Sequence, residues 1–152
     1  MEAAMFKNIL VPLDGGELSN NAVKQACAFA GSIGARLVFY YAKPGYFPAF
    51  ISGEPVIGNA GLDEAMRAAI DRQATALLQD AANVANSAGI ESETLSNESD
   101  PPHAGIIAAA ESRNCDLIFM ASHGRHGASA LLLGSETQKV LTHCKIPVLV
   151  YR

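Results

Sequence analysis

The chain has 152 residues, of which 49% are hydrophobic, 17% charged and 7% aromatic, with no tryptophan, so one soluble domain spanning residues 1–152 is expected, burying roughly 70% of its unfolded surface. Eleven Lys and Arg against 15 Asp and Glu give a formal charge of −4, and the basic residues are scattered, which disfavours a nucleic-acid surface. No apolar run reaches the roughly 18 residues of a membrane span, the first residues lack the basic and apolar regions of a signal peptide, and Cys27, Cys115 and Cys144 show no Cys-x-x-Cys spacing, so a reducing cytoplasm is the expected compartment.

Asn8-Ile9-Leu10-Val11-Pro12-Leu13 is a short apolar run of the kind buried on both faces of a parallel sheet. It stops at the turn cluster Asp14-Gly15-Gly16. Ser19 is placed to cap a helix with Ala22, Val23, Ala26, Ala30 and Ile33 at helical spacing, closed by Gly34. Residues 36–42 read as an aromatic-rich second strand. Residues 43–61, with Pro44, Pro48 and Pro55, are expected to form a long loop, either a cover over a site or mobile surface.

From 62 to 88 the chain is a long amphipathic helix with Met66, Ile70, Leu77, Ala81, Val84 and Ala88 along its apolar stripe, ended by Gly89. Residues 90–96 read as a third strand. Asp100 then caps a helix that opens on Pro101 and runs to about Arg113. Residues 116–121 form another buried strand, a glycine-rich loop follows, a short helix begins near Ser135, and residues 147–151 form the last strand. Strands alternating with helices predict an α/β fold: an open five-stranded parallel sheet with helices on both faces.

In such sheets ligands sit beyond the carboxyl ends of the strands, where the strand order reverses. Two segments should meet there: Pro12 to Gly16 after the first strand, and Ala121-Ser122-His123-Gly124-Arg125-His126-Gly127 after the fourth. The second leads into the helix at Ser135, whose free N–H groups favour an anion such as phosphate. No Gly-x-Gly-x-x-Gly follows the first strand and no lysine makes Gly134-Ser135 a P-loop. Binding would therefore rest on backbone amides, the Ser122 and Ser135 hydroxyls, and Arg125 or His126.

These residues resemble the universal stress proteins of the adenine-nucleotide-binding class, whose signature is Gly, two residues, Gly, nine residues, Gly, then Ser or Thr. Gly124, nine residues, Gly134 and Ser135 match it, and Ala121 stands at the first glycine. Residues 7–14, 116–124 and 145–150 look like the family's opening, fourth and closing strands. The resemblance implies a Rossmann-like fold of the adenine nucleotide alpha hydrolase type. It implies that Pro12, Leu13 and Asp14 lie near the ribose or adenine and that Ala42 offers backbone groups to the adenine. It also implies that Ala121, Ser122, His123 and Gly124, then Arg125 and Gly127, then Gly134, Ser135 and Glu136 surround the phosphates. The implied ligand is ATP, or AMP or ADP, with or without Mg²⁺, and the implied role is sensing or regulatory. The implied partner is a second copy of the chain, paired through the C-terminal edge strand.

Each of these residues has a plainer reading. Asp14 can be a turn former bonding its own backbone, and Ser135 with Gln138 fits a Ser-x-x-Gln capping box. Arg125 is either a phosphate partner or a solvated charge. His123 and His126 lack converging metal ligands, and Asp14, Ser122 and His123 lack the elbow and oxyanion hole of a hydrolase. No catalytic residue or metal site is expected, and any ATP turnover is expected to be slow. The rival reading is a nucleotide-free dimeric interaction module of the same family, meeting a protein partner through residues 43–61. Cys27 and Cys115 are expected to be buried apolar fillers.

Overall fold

The computed structural model describes residues 3–45, 50–51, 54–55, 60–123 and 132–152. Five strands form one parallel sheet in the order β5-β2-β1-β6-β7: β1 (Asn8–Leu13), β2 (Arg36–Lys43), β5 (Ser92–Glu98), β6 (Leu117–Ala121) and β7 (Val148–Tyr151). β3 (Phe50–Ile51) and β4 (Glu54–Pro55) pair antiparallel within the segment read as a loop. The expected cover in that segment falls largely outside the described residues.

Alternation along the strands divides the core in two. Ile9, Val11, Leu37 and Phe39 face one side with α1 (Glu17–Ile33) and α2 (Ala60–Ser87). Leu10, Val38 and Tyr40 face the other with Ile106 and Ala110 of α3 (Pro102–Ser112) and Val140 of α4 (Ser135–His143). Helices thus cover both faces, as the sequence pattern requires. Cys27 and Cys115 are buried in these clusters, and burial pushes both thiols up, Cys115 to about 12.

Local expectations fail mainly at helix starts. α1 is capped by the Gly16 backbone rather than by Ser19, whose buried hydroxyl accepts the Asp14 N–H at 3.3 Å. α3 opens on Pro102 with Pro101 at the cap, one residue later than expected. α4 is capped by the Gly134 backbone, and Gln138 Nε2 donates to Leu133 O at 2.8 Å, so no Ser135–Gln138 box forms. In α2 the buried line is Ala74, Leu78, Ala81 and Ala85, whereas Met66 and Ala88 are exposed. The 28 residues of α2 span about 42 Å, and β2 with eight residues spans only about 26 Å, so the first half of α2 has little sheet to cover.

Candidate functional site

The strand order reverses between β1 and β6: from β1 the chain crosses to β2, and from β6 to β7 on the opposite side. The crevice for a ligand lies at their carboxyl ends. β1 pairs with β2 up to Leu13↔Tyr41 and with β6 at Leu10↔Ile118. Carried on to the strand ends, these registers set Asp14 level with Ala42 on one side and Ser122 on the other. With neighbouring strands about 4.8 Å apart, the three positions span about 10 Å.

Asp14 Oδ1 accepts the Gly16 N–H at 2.8 Å, closing the turn that starts α1. The plain turn-forming role is therefore real, and Oδ2 has no hydrogen-bond partner among the described residues. Gly15 takes φ +82° in that turn, which favours glycine. On β2, Arg36 N donates toward β1 and Leu37 N toward the segment before β5. That alternation turns the backbone groups of Ala42 toward β1, at the level where β1 has ended.

At the end of β6, Ala121 is extended; among the described residues Asn114 is the one non-glycine with positive φ. Alanine at the first motif position thus carries no backbone penalty. Ser122 is 1% exposed, its N–H donates to Tyr151 O at 2.7 Å, and its Oγ lies 2.9 Å from His123 Nδ1. Ser122 O accepts the Gly134 N–H at 2.7 Å, and Thr137 Oγ1 donates to Ala121 O at 3.0 Å. A Cβ on Gly134 would lie 2.9 Å from His123 Cα, so the two stems meet at a distance only glycine allows.

No side chain among the described residues caps α4. The N–H groups of Ser135, Glu136 and Thr137 therefore open its first turn without an intrahelical partner. The Glu136 carboxylate turns away, to α3: Oε2 accepts the His103 N–H at 2.7 Å and lies 3.0 Å from His103 Nδ1, while Lys139 Nζ is 3.2 Å from Oε1. Partial burial pushes Glu136 up, but the bonds from the His103 amide, Lys139 and the His103 ring outweigh it and hold the acid below its usual value. Of the expected phosphate residues, Ser122, His123, Gly134, Ser135 and the Glu136 amide gather at one place. Gly124, Arg125 and Gly127 lie outside the described residues.

Thr137, His103 and Lys139 were not foreseen. Thr137 was discoverable as the third residue of a helix beginning at Ser135, whereas His103 and Lys139 carry no local signal. A cavity of about 270 Å³ opens between α1 and α2, walled by Leu13, one of the expected site residues, with Gly15, Lys24 and Asp80 among others, on the face opposite α4.

A parallel α/β sheet with helices on both faces, and a helix start that only backbone caps among the described residues at its switch point, defines the doubly wound class of domain. The Universal stress protein family profile matches residues 5–152, and the chain belongs to that family. It is 30% identical over 151 residues to the universal stress protein in the QAH/OAS sulfhydrylase 3′ region of Thermus aquaticus, covering 97% of this chain and 100% of that protein. The solved structure of MJ0577, which is a universal stress protein of Methanocaldococcus jannaschii, superposes with a TM-score of 0.78 at 24% identity, covering 96% and 95% of the two chains. A universal stress protein solved in complex with cAMP superposes with a TM-score of 0.66 at 25% identity, covering 97% of each. Among the described residues no helix is long and apolar enough to cross a membrane.

Proposed function

We propose that this protein binds an adenine nucleotide, with ATP the first choice and AMP or ADP the alternatives, and acts as a cytoplasmic sensor or regulator in a stress response. The observation that carries the reading is the first turn of α4, whose N–H groups have no partner among the described residues and sit beside Ser122, with Asp14 and Ala42 in register along the same sheet edge. Oriented amides at a helix start hold phosphate without a basic patch, which suits a chain of net charge −4. The cAMP-bound relative supports the choice of adenine nucleotide. The Ala42 backbone suits the adenine edge and Asp14 Oδ2 the ribose hydroxyls. Mg²⁺, where it accompanies ATP, would take Asp14 as its carboxylate partner. Partly covered β7 ends the sheet, and pairing of this edge with a second copy is the proposed route to a homodimer.

Calorimetric titration with ATP, AMP and cAMP tests the reading, together with mass spectrometry of ligand released from the purified protein. Saturable heat with at least one nucleotide is expected. No heat at millimolar ligand overturns it and favours the nucleotide-free interaction module.

A further inference from the structure

One carboxylate joins the starts of two helices. Glu136 sits at the second position of α4, yet it caps α3, through the His103 N–H at 2.7 Å. The amide donor keeps its proton throughout and holds the ionised carboxylate in place. The same oxygen lies 3.0 Å from His103 Nδ1, and the His103 ring stacks on His143 with centroids 5.7 Å apart. A carboxylate in a helix's first turn interacts favourably with the helix dipole and so competes electrostatically with a second anion at the same end.

We propose that Glu136 and His103 together set how much anionic charge the start of α4 accepts, protonation of His103 offsetting Glu136 and tightening the hold on a nucleotide phosphate. This rests on the nucleotide reading above. An imidazole changes charge between about pH 5 and pH 8. The groups facing the His103 ring are the Glu136 carboxylate, Lys139 bound to that carboxylate, and the stacked His143 ring. Asp100 in the turn before α3 and Glu98 at the end of β5, a strand packed on α3, add negative charge at this end of the fold. Lys139 supplies a constant partner, so His103 is the variable one.

The test titrates the full chain with cAMP, whose single phosphodiester charge does not change over this range, and with adenosine as a neutral control. At about pH 5.5 and about pH 8, wild type, His103→Gln and Glu136→Gln are compared, with thermal melts confirming that each is folded. Wild type should bind cAMP about threefold tighter at the lower pH and adenosine equally at both. His103→Gln should lose most of that ratio by weakening the low-pH binding. Glu136→Gln, which keeps an acceptor for the His103 N–H, should lose it by strengthening the high-pH binding.

A ratio unchanged in both variants overturns the proposal and leaves nucleotide binding standing. No heat from either ligand or from ATP overturns the nucleotide reading and this selectivity with it. The pair itself is read separately by NMR of the ligand-free protein. Glu136→Gln should shift the His103 amide and ring resonances, and resonances left in place refute the contact.

Discussion

Replacing Gly134 by alanine puts a methyl group 2.9 Å from His123 Cα, 3.2 Å from His123 Cβ and 3.4 Å from Ser122 O. Gly134 has φ −60°, so alanine meets no conformational penalty and the whole cost is steric. The atoms in the way are backbone and Cβ, which cannot rotate aside, so the stems at 122–123 and 134 must separate. Overpacking of this kind costs about 1–3 kcal/mol, and stretching the 2.7 Å bond from Gly134 N–H to Ser122 O forfeits about 1 kcal/mol more. The sum is about 2–4 kcal/mol, which lowers the melting temperature of a chain this size by roughly 4–16 °C.

Thermal unfolding followed by circular dichroism measures this, with Gly34→Ala as the control. At Gly34 φ is +72° and nothing lies within 4 Å, so only the left-handed backbone cost of about 1–2 kcal/mol applies. Because the displaced stem also carries the first turn of α4, Gly134→Ala should weaken nucleotide binding at least tenfold, about 1.4 kcal/mol, while Gly34→Ala leaves binding unchanged. A Gly134→Ala protein that melts within about 2 °C of wild type and binds nucleotide normally would refute the steric reasoning.

Gly105→Ala drives a methyl group into the Tyr40 hydroxyl and to 2.5 Å from Ser99 Oγ, displacing the Tyr40–Asn97 hydrogen bond of 2.6 Å; a loss of about 2–4 kcal/mol is expected in urea unfolding, and an unchanged midpoint would contradict it. Cys115 is held protonated up to about 12 by burial, against an ordinary 9.0, so its contribution to stability is complete below pH 9 and is lost as pH rises toward 12. Cys115→Ala should lower stability at neutral pH but flatten that alkaline decline, and at pH 8 the native thiol should resist alkylation unless the chain is unfolded. Glu136 has the opposite sign. Its lowered value means that its stabilisation is present above the ordinary 4.5 and is lost as pH falls through the native value, so the difference in urea midpoint between wild type and Glu136→Gln should shrink on acidification, and a constant difference from pH 6 to pH 3 counts against the ionised pair.

Much of the candidate site was legible because each of its parts directly follows a strand or opens a helix. Asp14 follows β1, Ser122 follows β6 and Gly134-Ser135 opens α4, so strand recognition and the switch-point rule together were enough to bring them to one edge. The caps were misread for a related reason. A serine or aspartate near a helix start is only a local preference, and at α1, α3 and α4 backbone at Gly16, Pro101 and Gly134 took the cap position instead. The α2 stripe was misread because alanine is weakly hydrophobic, yet Ala74, Ala81 and Ala85 are the residues buried beneath the helix.

The sequence by itself determined the α/β alternation, the parallel sheet and the burial of Cys27 and Cys115. Each follows from short-range regularities: apolar runs of strand length and helical spacing. Only the tertiary structure decided that Glu136 caps α3 rather than its own helix, that His103 and His143 stack beside it, and that Gly105 makes room for the Tyr40 hydroxyl. The physical reason is distance along the chain. The His103–Glu136 bond joins residues 33 apart, and no periodicity encodes which helix start a carboxylate will serve once two helices pack side by side on the same face of a sheet.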